Sequence, residues 1–130
     1  MSKAPLRKVM LVEDDPDIRE IAEMALGTVG GFEVMACASG GEALRRVDAF
    51  APQLAVIDVM MPAMDGPTLF ASLRARPTTA KLPIVFMTAK VQPEEIVRWH
   101  ALGAADVVAK PFDPLALADR LRAIWAKLDV

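Results

Sequence analysis

Apolar runs alternate along the chain with stretches whose apolar positions recur at helical spacing. The runs read as strands near Lys8–Val12, Glu33–Ala38, Leu54–Val59, Leu82–Met87 and Ala105–Ala109. Between them, Ile18, Ile21, Ala22, Ala25 and Val29 form one helical stripe, and Ala43, Leu44 and Val47 a second. Leu69, Phe70 and Leu73 form a third, and Leu117, Leu121, Ile124 and Leu128 close the series. Punctuation agrees with this division. Asp15-Pro16 reads as an N-cap followed by proline at the first helical position, and Gly30-Gly31 stops that helix. Ser39 and Glu42 match a capping box, and Pro67 can open the third helix after a turn at Asp65-Gly66. Gln92-Pro93-Glu94-Glu95 opens the fourth helix, which Gly103 closes, and Asp113-Pro114 is expected to cap the fifth.

Strand and helix thus alternate five times. Strands apolar on both faces belong in a parallel sheet covered by helices on either side. With right-handed crossovers, the simplest solution is a flavodoxin-like (βα)5 doubly wound sheet in strand order 2-1-3-4-5. Ligands bind such a sheet at its switch point, beyond the ends of strands 1 and 3. Those ends carry Glu13-Asp14-Asp15 and Asp58, and strand 5 runs into Lys110-Pro111. Unpaired carboxylates are costly to bury, so these groups should meet at the sheet edge as an acidic pocket with one ammonium.

Composition narrows the class. The 130 residues are 54% hydrophobic and 25% charged, which suits one globular domain, residues 1–130, with no output domain. The net charge of −2 and the lack of a basic run argue against nucleic acid or an anionic membrane as direct partner. No signal-like or membrane-spanning apolar run is visible, so a soluble cytoplasmic protein is expected. Cys37, the one cysteine, reads as a small buried hydrophobe.

The chemistry open to the pocket follows from its charges. Asp58 at a strand tip can act as a nucleophile and form an aspartyl phosphate. Mg2+, or Mn2+ in its place, would suit oxygen donors from Asp14 and Asp58, the backbone carbonyl of Met60, and Glu13 directly or through water. Three carboxylates balance a divalent cation plus Lys110, and without metal their repulsion should raise at least one pKa. The Thr88 hydroxyl can reach a phosphoryl oxygen, as can Lys110, which can pair with Asp58 beforehand.

Leu11-Val12-Glu13-Asp14-Asp15, Ile57-Asp58-Val59-Met60-Met61-Pro62 with Asp65-Gly66, Met87-Thr88-Ala89 and Lys110-Pro111-Phe112 occur in that order. Together they are specific. Over essentially its whole length the chain resembles the receiver domain of two-component response regulators, of the single-domain type. The resemblance implies that Asp58 is the phosphoacceptor, Asp14 the main magnesium-ligating acid with Glu13 beside it, and Met60 the carbonyl donor. It implies that Thr88 is the switch hydroxyl, Lys110 the family's lysine, and Lys110-Pro111 a cis peptide. The implied donor is a phosphohistidine on a sensor histidine kinase or phosphotransfer protein. The receiver would catalyse its own phosphorylation and dephosphorylation without turning over external substrates. Output would pass to a downstream protein target, or to a second copy, through the last two helices and strand.

One position departs from the family. The switch aromatic three residues before the lysine is Val107 here, and the chain has no tyrosine. The signal is therefore expected to leave through Thr88 and the Ala89–Gln92 loop. Met60, two after Asp58, cannot orient an attacking water by hydrogen bonding, so slow phosphate loss is expected. Other residues have plainer readings. Asp15 is a helix cap, His100 a surface residue, and Arg74-Ala75-Arg76 a solvated helix end, while Trp99 and Trp125 suit either a contact patch or the core. A non-phosphorylated interaction module is disfavoured by the complete set of acids, Thr88 and Lys110. A flavin carrier would need a phosphate loop where Glu13-Asp14-Asp15-Pro16 stands, and a haloacid-dehalogenase-type phosphatase would need an acid at Met60.

Overall fold

The computed structural model describes residues 3–129. Five strands, β1 (Lys8–Val12), β2 (Glu33–Cys37), β3 (Leu54–Asp58), β4 (Ile84–Thr88) and β5 (Asp106–Ala109), form one parallel sheet in the order β2-β1-β3-β4-β5. The helices are α1 (Pro16–Met24), α2 (Gly40–Phe50), α3 (Gly66–Arg74), α4 (Pro93–Leu102) and α5 (Leu117–Lys127). The expected flavodoxin-like topology is therefore the observed one.

Alternation along each strand divides the core in two. Met10, Val12, Ala55, Ile57, Ile84, Phe86 and Val107 pack with Leu69, Phe70, Leu73 and Trp99, beneath α2, α3 and α4. Val9, Leu11, Leu54, Val56, Val85, Met87 and Val108 pack with Ala22, Leu26, Leu117 and Leu121, beneath α1 and α5. Because both faces are covered, β3 and β4 are buried at every position. Trp99 belongs to the core, 5% exposed, with its ring 5.2 Å from that of Phe86. Trp125 is half-buried, and its indole donates to the Ala4 carbonyl.

Several local expectations are met. Asp15 caps α1 by accepting from the amides of Asp17 and Ile18, and Ser39 caps α2 by accepting from Glu42. The Glu42 carboxylate reaches back to the amide of Ala38, closing the box one residue earlier than the simplest form. Gly103, at φ +116°, ends α4 in the left-handed region.

Others are corrected. The first helix runs on from Met24 as a π-helical turn, Ala25–Val29, before Gly30 ends it. The fourth strand begins at Ile84, not Leu82. Asp65 is more than a turn residue, because its carboxylate accepts from the Thr68 amide and caps α3. The fifth helix starts at Leu117. Asp113 instead accepts from the Leu115 amide, and its own carbonyl accepts from Ala116 and Leu117, so its cap belongs to the preceding turn. Arg74 is no solvated helix end. Its guanidinium lies over the Phe70 ring and donates to the Leu82 carbonyl at 2.7 Å, tying α3 to the entry of β4.

Candidate functional site

Parallel register brings the strand tips together. Val12 is level with Ile57, so Glu13 and Asp58 leave β1 and β3 side by side. Asp58 is level with Met87, and Thr88 with Ala109, which places Lys110 one step beyond the β4 tip. The chain bends at Asp14, turning its side chain back toward the same edge. Oxygens of Glu13, Asp14 and Asp58 consequently lie within 4.8 Å of one another. Glu13 is fully buried and Asp58 is 4% exposed, while Asp14 is half-buried.

The cost of burying two carboxylates is offset by one ammonium. Lys110 Nζ lies 2.8 Å from Glu13 Oε1 and 3.4 Å from Asp58 Oδ1. Glu13, not Asp58, is thus its shorter contact. Glu13 Oε2 also accepts from the Asp15 amide at 3.2 Å. Both Glu13 oxygens are engaged, whereas Asp14 and Asp58 keep free lone pairs. Burial alone would pull the Lys110 pKa down, but the hydrogen bond to Glu13 and the charges of Asp58 and Glu13 outweigh it. The group titrates above its ordinary 10.5 and stays cationic. Burial, followed by the neighbouring Glu13, pushes the Asp14 carboxyl above its ordinary 3.8. Burial is the larger cause, and the repulsion expected of clustered acids adds to it.

Two supports place the loop after β3. A Cβ on Gly66 would stand 2.6 Å from the Asp58 carbonyl oxygen and 2.9 Å from Val59 Cα, so only glycine lets α3 begin this close to Asp58. The Gly66 amide also donates to the Val59 carbonyl at 2.9 Å. Met60 projects outward, 65% exposed, beside a groove also lined by Thr88, Lys90 and Trp99. Thr88 is buried, and its Oγ1 accepts from the Lys90 amide at 3.0 Å. Lys110-Pro111 is a cis peptide. Val107 is buried, with no aromatic ring at its position. His100 sits on the surface of α4, 3.6 Å from Asp106.

The donor set fits a hard divalent cation. It consists of carboxylate oxygens, two of the three acids have uncommitted lone pairs, and Lys110 leaves the pocket net negative. Sequence reasoning missed Arg19, whose Nη1 donates to the carbonyls of Glu13 and Asp14 at 2.9 and 3.2 Å. A cationic residue one helical turn past the Asp15 cap was the available signal.

This arrangement is shared with known proteins. Residues 9–122 match the response regulator receiver domain, and the chain belongs to that family. It is therefore a receiver domain of two-component response regulators, a class whose signalling depends on phosphorylation. It is 38% identical over 119 residues to the phosphate regulon transcriptional regulatory protein PhoB of Rhizobium meliloti, covering 92% of this chain and 52% of that protein. It is 37% identical over 116 residues to the transcriptional regulatory protein CseB of Streptomyces coelicolor, covering 89% and 48%. The chain spans about half the length of the curated relatives it matches. Among solved structures, chemotaxis protein CheY4 of Vibrio cholerae is similar with a TM-score of 0.84 and 30% identity, covering 92% of this chain and 98% of that one. Among the described residues, no helix is long and apolar enough to cross a membrane.

The upward shift of the Asp14 carboxyl, from burial and its neighbour Glu13, has a measurable consequence. An acid whose folded pKa is raised destabilises the fold once ionised. That penalty appears as pH rises through the ordinary 3.8 and is complete above the raised folded value. Asp14→Asn should therefore raise the thermal midpoint of the metal-free protein at neutral pH. The gain should shrink as pH falls and vanish below the ordinary carboxyl range. A midpoint lowered at neutral pH would contradict the upward shift.

Proposed function

We propose that the chain is a phosphorylation-dependent signalling receiver that accepts a phosphoryl group on Asp58 and switches partner binding. The observation that carries this reading is the buried Asp58 carboxylate at the β3 tip, sharing the Lys110 ammonium with Glu13 and standing within 4.8 Å of Asp14. The donor is a phosphohistidine on a sensor histidine kinase or a phosphotransfer protein. An Asp58 carboxylate oxygen attacks the phosphorus, the P–N bond breaks, and its electron pair stays on the imidazole. An acyl phosphate results, and water later hydrolyses it to restore the carboxylate.

Asp14, Asp58, the Met60 carbonyl and, through water, Glu13 would hold Mg2+, or Mn2+ in its place. The bound ion would neutralise charge on the transferring phosphoryl oxygens. Glu13 reaches it through water in this reading because both its oxygens are already engaged. Lys110, held by Glu13, turns its remaining N–H donors to a phosphoryl oxygen. Catalysis is confined to the chain's own phosphorylation and dephosphorylation.

Thr88 supplies the switch. Its oxygen cannot keep its present contact with the Lys90 amide unchanged if the hydroxyl swings to donate to the phosphoryl group. That motion would release the Ala89–Gln92 loop at the N-terminus of α4. With Val107 in place of an aromatic, no ring rotation adds to it. The next helix, α4, exposes Val97 (66%) and Leu102 (47%), and apolar side chains in water suit a downstream protein target or a second copy.

Incubation with Mg2+ and acetyl phosphate should add one phosphoryl mass to the wild type and none to Asp58→Asn. The amide resonances of Ala89–Gln92 should shift in the phosphorylated form only. An unchanged wild-type mass, or equal labelling of the Asn variant, would refute the assignment of Asp58. Separately, Met60→Asn should shorten the lifetime of the phosphorylated form, because an amide at that exposed position can orient the hydrolytic water. A longer lifetime in that variant would refute the role given to Met60.

A further inference from the structure

Two cations serve the acidic pocket, and they do so in different ways. Lys110 binds the carboxylates of Glu13 and Asp58. Arg19 is half-buried on α1 and binds none of the carboxylates, although four precede it within six residues. Among the described residues it makes no ion pair; its Nη1 donates instead to the backbone carbonyls of Glu13 and Asp14, at 2.9 and 3.2 Å.

Those two contacts bear on the bend. In an extended strand, successive carbonyls point to opposite sides. Here two successive carbonyls converge on one nitrogen, because the chain turns at Asp14. Converging carbonyl dipoles repel unless a donor stands between them, and a charged donor makes the stronger bond. The position of Arg19 is itself well determined. The Asp15 carboxylate caps α1, and the Arg19 amide donates to the Asp15 carbonyl at 2.9 Å. The guanidinium therefore references the bend to the helix. It adds a positive charge to the pocket without consuming a carboxylate lone pair.

We propose that Arg19 is a positioning residue for cation binding: by clamping the Glu13 and Asp14 carbonyls it holds the Asp14 carboxylate over the sheet edge, with its oxygens free for Mg2+. This rests on the reading of the pocket as a magnesium site. Two effects of the guanidinium oppose each other. Its charge disfavours a nearby cation, but it is partly exposed and screened. Its hold on the bend favours the cation, because ligands aligned beforehand bind without an ordering cost. Positioning outweighs repulsion in this account, which fixes the sign of the test.

The test titrates Mg2+ alone into the full chain, by calorimetry and by amide shifts of Glu13–Asp15. Arg19→Gln, which removes the charge and the two-carbonyl reach, should weaken Mg2+ affinity by about tenfold. Arg19→Lys, a point charge without the planar fork, should fall between it and the wild type. A role confined to holding α1 would lower the folding midpoint and leave the affinity of the folded protein untouched. Wild-type or tighter affinity in folded Arg19→Gln overturns the proposal and leaves the metal reading standing. If that variant does not fold, Arg19→Lys decides: a few-fold weaker affinity supports the role, and unchanged affinity overturns it. A wild type that binds no Mg2+ at millimolar concentration overturns the site and the role together.

Discussion

The bond between Lys110 and Glu13 is the constraint around which the rest of the site is arranged. Two carboxylates lie almost wholly out of water at the sheet edge, and burial on that scale needs a compensating charge. One ammonium provides it for both. Its shorter contact is to Glu13, so Asp58 remains the less committed of the two buried acids. Asp58 can then be the group that reacts, while Glu13 keeps Lys110 in place before and after. Asp14, less buried than the other two, still has its pKa raised by burial and by Glu13, a cost of ionisation that a cation would relieve.

Most of the fold was legible because its signals are local. Unbroken apolar strands demanded helices on both faces, and the caps at Asp15 and Ser39 stand where their residue types placed them. Legibility failed where a side chain found a partner distant in sequence or unusual in kind. Arg74 looks like a solvated charge until Leu82 and Phe70 are folded against it. Asp113-Pro114 has the chemistry of a helix cap, but its hydrogen bonds close a separate turn before Leu117. Trp99 had equal claims to surface and core, and the ring of Phe86 decides for the core. The site followed the same division. Its acids and lysine could be found from strand ends. The preference of Lys110 for Glu13 and the hold of Arg19 on two carbonyls depend on the third dimension.

The absence of a switch aromatic shapes how such a domain can signal. Val107 is buried, and at the tip of β4 the Thr88 hydroxyl oxygen accepts from the Lys90 amide. Motion of one hydroxyl there would be passed to α4 through a short loop, without a ring changing sides. The chain's relatives include transcriptional regulators about twice its length as well as a chemotaxis protein of its own size. A loop-borne change on one helix face could serve either kind of output.

The claim that Asp58 is the carboxylate that reacts can be tested at the residue itself. Borohydride reduces an acyl phosphate to an alcohol, so treating the phosphorylated protein and mapping its peptides reports which acid carried the group. Homoserine is expected at position 58, dependent on Mg2+, with Glu13 and Asp14 unmodified. Reduction at Asp14, at Glu13 or at an acid outside the pocket would contradict it.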